Sequence, residues 1–93
     1  MTDYIEQRIE IVNARGLHAR AAAKLVKLVE LFDGSELRVI KDDMDVVGTS
    51  IMGLLMLAAS KGTFVTLRAS GDRAEEMIAA VSDLINRKFG EEN

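Results

Sequence analysis

Apolar and charged residues alternate at the start of the chain, where Ile5, Ile9 and Ile11 share one parity. This period of two predicts a half-buried strand over residues 4–12. Similar patterns predict three further strands, over residues 36–41, 44–47 and 63–70. Asp42-Asp43 separates the second strand from the third, and we expect it to form a hairpin turn.

Apolar residues with helical spacing lie between these strands. A first helix is predicted over residues 19–32, with an apolar stripe of Ala22, Leu25, Val26, Val29 and Phe32. A shorter helix is expected to open at Ser50 and to end near Gly62.

A last helix is predicted after Asp72, which begins the sequence Asp72-Arg73-Ala74-Glu75 and resembles the cap of a capping box. Its apolar face comprises Ala74, Met77, Ile78, Val81, Leu84 and Ile85. We expect Gly90 to close this helix and residues 91–93 to form a frayed tail.

The order of these elements is β-α-β-β-α-β-α, which predicts an α+β domain. Four strands beside three helices favour a mainly antiparallel sheet with helices on one face. A ferredoxin-like split β-α-β arrangement with an extra C-terminal helix fits the same pattern equally well.

The chain has 93 residues, no cysteine, one histidine and a net charge of −3. This length fits one domain. Without cysteine there are no disulfides, and a single histidine argues against a structural zinc site. The negative charge argues against general nucleic-acid binding. No apolar run approaches the ~20 residues of a membrane span, and the N-terminus lacks signal-peptide features, so we expect a cytoplasmic protein.

The single histidine, His18, lies where the first helix is predicted to begin, after the turn residue Gly16. A helix start offers unpaired backbone N–H groups and the positive end of the helix dipole, which together suit a phosphate. The simplest interpretation is a histidine that accepts a phosphoryl group, with Arg20 close by. Taken alone, a histidine near a helix start is more often a cap or a solvated residue.

Basic residues surround this histidine. Residues 13–29 contain no acid but four bases, Arg15, Arg20, Lys24 and Lys27. The last three are spaced to share one helix face. Basic helix faces are commonly just solvated. The position of this face next to His18 favours a docking surface for an acidic partner.

Residues 51–59 are apolar at every position except Gly53. Because a two-layer domain cannot enclose a helix on every side, part of this surface is expected to be exposed as an interface. Met52 and Met56 have adaptable side chains that suit several partners. The alternative is a core helix with a few exposed residues.

Ser50 is a natural N-cap, and a phosphate on it would place negative charge beside the apolar surface.

Two motifs occur together, Gly16-Leu17-His18-Ala19-Arg20 and Gly48-Thr49-Ser50-Ile51-Met52-Gly53. Residues 57–63 and Gly71-Asp72 extend the pattern over nearly the whole chain. In this order, the motifs resemble the active-site motif and the regulatory-serine motif of HPr. HPr is the histidine-containing phosphocarrier of the bacterial phosphoenolpyruvate-dependent phosphotransferase system.

The resemblance implies one HPr-like domain over residues 1–93. Its fold would be an open-faced β-sandwich, four antiparallel strands covered on one face by three helices. His18 would be phosphorylated on Nδ1, and Arg20 would help to hold the phosphate. Ser50 would be modified by an HPr kinase/phosphorylase where that enzyme exists.

The resemblance also implies partners. Enzyme I, charged by phosphoenolpyruvate, would donate the phosphoryl group, and an EIIA-type domain would accept it. Both would dock on the basic and apolar helices, at Arg15, Lys24, Lys27, Ile51, Met52, Leu55 and Met56. The partners supply most of the transfer machinery, so we expect no stand-alone catalysis and no metal or cofactor. We expect a monomer without nucleic-acid binding or membrane insertion.

The chain departs from the family motif directly after Arg20, where Ala21 replaces the usual proline. Alanine is also favourable in a first helical turn, so we expect the helix to form and the His18 loop to be slightly looser.

The sequence leaves open whether the protein serves the sugar-uptake branch or the nitrogen-related branch of the system. The alternative functions are a regulatory interaction module that acts mainly through the apolar helix, and a small-ligand sensor on a ferredoxin-like sheet.

Overall fold

The computed structural model describes residues 3–93. In chain order its elements are β1 (Tyr4–Glu10), α1 (Ala19–Val29), β2 (Ser35–Lys41), β3 (Met44–Val47), α2 (Ile51–Met56), β4 (Phe64–Gly71) and α3 (Ala74–Asn86). A single 3-10 turn, Lys88–Gly90, follows α3. None of the helices in these residues combines the length and apolar character needed to cross a membrane.

The four strands form one antiparallel sheet in the order β1-β4-β2-β3. The predicted α+β architecture is therefore confirmed. The ferredoxin-like alternative is wrong, because such a sheet has its first strand inside, whereas β1 here lies at an edge and β4 separates it from β2.

The core lies between the sheet and the helices. Along β4, Val65, Leu67 and Ala69 are buried, as their shared parity predicts. The predicted apolar stripes of α1 and α3 belong to the same hydrophobic core, and α3 packs directly against β4. Their most buried members are Ala22, Leu25 and Val29 in α1 and Met77, Val81 and Ile85 in α3.

The other face of the sheet carries charged side chains and stays open to solvent. Arg68 bonds Glu6 across β4 and β1 at 2.7 Å. Arg38 bonds Asp45 across β2 and β3 at 2.8 Å. Cross-strand pairs of this kind stabilise a sheet modestly and keep its surface polar, so only one face needs a helical cover.

The predicted length of the second helix is wrong. α2 has six residues and ends at Met56 rather than near Gly62. Ala58 has φ +50°, in the left-handed region, and this ends the helix. The following carbonyl, that of Ala59, accepts a hydrogen bond from the Leu17 N–H at 2.9 Å. The chain therefore leaves the helix to reach the loop that precedes α1.

The capping-box prediction at Asp72 is also wrong. The N-cap of α3 is Arg73, and its side chain makes no capping bond within residues 3–93. Its backbone N–H instead donates to Ser35 Oγ at 2.9 Å, so a serine at the start of β2 supplies the acceptor. α3 ends at Asn86, before the 3-10 turn that contains Gly90.

The ends of β1 and α1 differ less from prediction. β1 ends at Glu10 rather than at residue 12, and α1 ends at Val29 rather than at residue 32. Phe32 is buried although it lies outside the helix, and its N–H donates to the Val29 carbonyl at 3.0 Å. The apolar stripe therefore continues past the last helical turn.

Candidate functional site

His18 is the N-cap residue of α1 and has an extended backbone, with φ −82° and ψ −179°. The first helical hydrogen bond runs from the Ala22 N–H to the His18 carbonyl at 2.8 Å. The N–H groups of residues 19–21 therefore have no partner within the helix. Within the described residues, the imidazole makes no capping bond to them, and 17% of the side chain is exposed. The ring thus lies at the helix start without occupying its free donors.

The loop before His18 is held against the segment that follows α2. The Leu17 N–H donates to the Ala59 carbonyl at 2.9 Å, and Asn13 Nδ2 donates to the Gly16 carbonyl at 2.8 Å. Gly16 has φ +65°, and a Cβ there would lie 2.5 Å from the Ala59 oxygen. Glycine is required at this position both by the left-handed backbone and by the close approach of the two segments.

Arginine side chains line the surface around the loop. Arg15 lines two adjoining depressions, one shared with His18 and the other with Arg20, Lys24 and the C-terminal residues. Arg20 is exposed, and among residues 3–93 no carboxylate forms an ion pair with it. The first turn of α1 therefore offers an uncommitted guanidinium to an anion.

The C-terminus brings a carboxylate to His18 that the sequence reasoning did not find. Glu91 Oε2 lies 2.5 Å from His18 Nε2. The other carboxylate oxygen of Glu91 accepts a hydrogen bond from Asn13 Nδ2 at 3.0 Å. Asn13 is fully buried. Both oxygens of Glu91 are therefore held, one by the imidazole and one by a fixed amide.

Residues 91–93 are not the frayed tail that the sequence analysis predicts. Phe89 is buried in the core, and its carbonyl accepts a hydrogen bond from Lys24 Nζ at 2.6 Å. The Asn93 carbonyl accepts a hydrogen bond from the Ala14 N–H at 2.9 Å. The signal that could have corrected the prediction is Phe89 itself, because a large aromatic residue beyond a helix end indicates an anchored segment.

Glu91 is ionised at neutral pH. Burial raises the pKa of its carboxyl group, but hydrogen bonds from His18 and Asn13 outweigh this effect and leave the pKa below its ordinary value. Because the folded-state pKa is lowered, the carboxylate stabilises the fold at pH values above the ordinary pKa. This contribution is lost as the pH falls through the lowered value.

Ser50 and the apolar surface predicted after it lie at α2. Ser50 is the N-cap, and its Oγ accepts a hydrogen bond from the Gly53 N–H at 3.0 Å. Met52 is 70% exposed and Met56 is 64% exposed, whereas Leu54 is fully buried. The helix thus buries Leu54 in the core and exposes an apolar surface on its other side, and the use of that surface as an interface stays a prediction.

The residues predicted to dock partners lie in the loop before α1, on α1 and on α2, and these two helices pack against each other. All are exposed except Leu55, which is half-buried; the set is Arg15, Lys24, Lys27, Ile51, Met52, Leu55 and Met56. Lys24 differs from the other bases, since its ammonium group is already bonded to the Phe89 carbonyl.

Residues 5–87 match the family model for the PTS HPr component phosphorylation site. The chain belongs to the HPr family. It is 49% identical over 87 residues to the phosphocarrier protein HPr of Neisseria meningitidis serogroup A, covering 94% of this chain and 97% of that protein. It is 38% identical over 88 residues to the phosphocarrier protein NPr of Escherichia coli K12, covering 95% and 98%.

The fold agrees with this membership. The crystal structure of HPr-C-His from Thermoanaerobacter tengcongensis matches with a TM-score of 0.90 and 48% identity, over 96% of this chain and 99% of that chain. The open-faced β-sandwich expected for an HPr-type protein is confirmed. As a member of the HPr family, the chain is a phosphocarrier of the phosphotransferase system and interacts with the enzymes of that system.

Proposed function

We propose that His18 accepts a phosphoryl group on Nδ1 from phospho-enzyme I and passes it to an EIIA-type acceptor. The observation that carries this proposal is the placement of the ring. The imidazole stands at the N-terminus of α1, Nε2 is engaged by Glu91, and the free N–H groups of the first helical turn lie next to it in the chain. A phosphate at a helix start gains from these donors and from the helix dipole.

The site holds a phosphate only moderately, which suits a carrier. Arg20 in the first turn of α1, Arg15 beside the depression that His18 lines, and one helix terminus form a small set of donors. Tighter binding of the phosphate would stabilise the phosphorylated protein and would not speed transfer to the next protein. Only interactions that are stronger in the transition state than in the ground state accelerate a step.

Intact-protein mass tests the proposal directly. After incubation with phosphoenolpyruvate and enzyme I, we expect one added phosphate that is stable in base and lost in acid, as for a phosphoramidate. A competent enzyme I that leaves the folded protein unmodified would contradict phosphate carriage. The regulatory-module alternative would then gain support from the exposed methionines of α2.

Replacing Arg20 by alanine is expected to slow phosphate uptake by about tenfold to a hundredfold. This factor corresponds to the loss of one charge-assisted hydrogen bond, which contributes about 1.5–3 kcal/mol. The free energy of unfolding is expected to change little, because the side chain is exposed. Rapid-quench transfer kinetics and urea unfolding measure the two effects. The control is Arg8→Ala on the open face of the sheet. A large loss of stability in Arg20→Ala would make the residue structural.

Docking of enzyme I and of the EIIA-type acceptor is proposed for the surface that α1 and α2 share. Its bases attract acidic partners and speed encounter. Its exposed methionines adapt to more than one partner. Ser50 borders this surface at the start of α2. We propose it as the position where a serine kinase, an HPr kinase/phosphorylase, would act on docking.

The variant Ser50→Asp is expected to bind enzyme I about tenfold more weakly. Aspartate is also a good N-cap, so the helix should be retained while a charge is added beside Met52 and must be desolvated on docking. Calorimetric titration measures the affinity. Ser70→Asp adds the same charge on β4, away from α2, and is the control. Equal affinities of the two variants would count against a switch at Ser50.

A further inference from the structure

We infer that Glu91 is a positioning residue for phosphoryl transfer: its carboxylate keeps the proton of His18 on Nε2 and stabilises the ring when Nδ1 carries phosphate. This inference rests on the proposed phosphorylation of His18. It concerns a residue at the far end of the chain, 73 positions from the histidine.

The first step concerns the proton. An ionised carboxylate can only accept hydrogen bonds, so the nitrogen 2.5 Å from Glu91 Oε2 must carry a hydrogen. In the neutral ring only one nitrogen is protonated. Nδ1 therefore keeps its lone pair and is the nucleophilic atom. A carboxylate also fixes the tautomer of the histidine in hydrolytic triads, although there it accepts from Nδ1–H and leaves Nε2 free.

The second step concerns how Glu91 is held. The Asn13 amide lies between two oxygen acceptors, the Gly16 carbonyl at 2.8 Å and Glu91 Oε1 at 3.0 Å. Since neither acceptor has a proton to give, the NH2 group of the amide must face both of them. Buried Asn13 thus ties the carboxylate to the same loop that positions His18.

The third step concerns the segment that carries Glu91. Phe89 is buried, and Lys24 and Ala14 bond carbonyl groups on either side of Glu91, those of Phe89 and Asn93. Lys88 and Phe89 both have left-handed backbones, with φ +59° and +56°. Strained conformations of this kind persist only where the surroundings determine them. The carboxylate is therefore fixed by the packing of the C-terminus against α1.

The chemistry of the transfer explains the benefit. The Nδ1 lone pair forms a bond to phosphorus while the bond from phosphorus to the donor breaks and its electron pair stays with the donor. No proton leaves Nδ1, because none is there. The ring retains the Nε2 proton and becomes cationic, and the carboxylate stabilises that charge. A cationic ring is also the better leaving group when the phosphoryl group moves to the acceptor.

The test compares Glu91→Gln with Glu92→Gln, an exposed neighbour that loses the same charge. Glutamine can donate or accept, so it no longer selects one tautomer. We expect Glu91→Gln to lower the maximal rate of transfer from phospho-enzyme I by about tenfold, with little change in the enzyme I concentration that half-saturates it. Glu92→Gln is expected to behave as wild type.

A long-range 1H–15N spectrum gives a second readout that a merely structural role would not move. The chain has one histidine, so the spectrum contains one ring. In the wild type we expect a proton on Nε2 and an unprotonated Nδ1, and in Glu91→Gln an averaged signal with faster exchange of the Nε2 proton. A wild-type ring protonated on Nδ1 alone would overturn the inference.

The outcomes separate the two proposals. If the wild type is phosphorylated and Glu91→Gln equals it in rate and tautomer, the role of Glu91 is wrong and carriage by His18 stands. If transfer in Glu91→Gln is faster than in wild type, the carboxylate is a barrier to the phosphoryl donor, which also overturns the inference. If wild type accepts no phosphate, the proposed function fails, and the role of Glu91 in transfer fails with it.

Discussion

His18→Ala is expected to take up no phosphate from phosphoenolpyruvate and enzyme I. The chain contains no other histidine and no cysteine, so no second side chain of these nucleophilic types can replace it. The fold should persist, because the ring is partly exposed and its side-chain hydrogen bond is to Glu91 alone among the described residues. Loss of that bond to an ionised carboxylate is expected to cost about 1.5–3 kcal/mol of unfolding free energy.

Intact mass and urea unfolding measure these two results on the same preparation. Acid treatment separates the acceptors, since a phosphohistidine is hydrolysed in acid and a phosphoserine at Ser50 is not. His18→Gln is a matched variant that restores a polar group facing Glu91 without restoring the nucleophile. Acid-labile phosphate retained in either variant would place the acceptor elsewhere in the chain.

Gly16→Ala is expected to lower the free energy of unfolding by about 3 kcal/mol. An alanine at φ +65° costs about 1–2 kcal/mol by itself. The added Cβ would lie 2.5 Å from the Ala59 oxygen and 2.9 Å from the Ser60 Cα, both backbone atoms, so two chain segments must separate. The remainder of the cost is this displacement.

The control for Gly16→Ala is Gly34→Ala. Gly34 has φ +79°, and a Cβ there would meet no atom of the described residues within 4 Å. It should therefore lose only the cost of the left-handed backbone, about 1–2 kcal/mol. Urea unfolding of both variants isolates the contact with Ala59. Equal losses would show that the loop before His18 adapts without strain.

Phosphate uptake by Gly16→Ala is expected to slow as well. The Leu17–Ala59 hydrogen bond holds the histidine loop, and the added Cβ would separate these two segments.

Much of the fold follows from periodic patterns. The alternation around Ile9 and along Val65 to Ala69 predicts strands, and the structure buries these residues. The helical spacing in α1 and α3 is confirmed in the same way. Such patterns are reliable because a strand or helix with one buried face repeats the same environment every two or 3.6 residues.

Helix ends follow from sequence less well. The apolar run after Ser50 continues to Ala59, but the helix ends at Met56 because Ala58 turns into the left-handed region. Likewise α3 uses Ser35 as an outside acceptor at its start rather than Asp72. In both places a contact with a distant segment outweighs the local preference.

The features of the candidate site also fall into those that local sequence predicts and those that depend on distant contacts. The sequence by itself determined the type and order of the elements, the histidine at a helix start, the basic face of α1 and the capping serine of α2. Each of these features depends on residues within one or two turns of chain. Only the tertiary structure decided the strand order, the contact of Gly16 with Ala59 and the carboxylate at His18. Glu91 reaches His18 across 73 positions and Asn13 across 78. No local period records such pairs, since they form only when Phe89 packs in the core and carries the C-terminus to the start of α1.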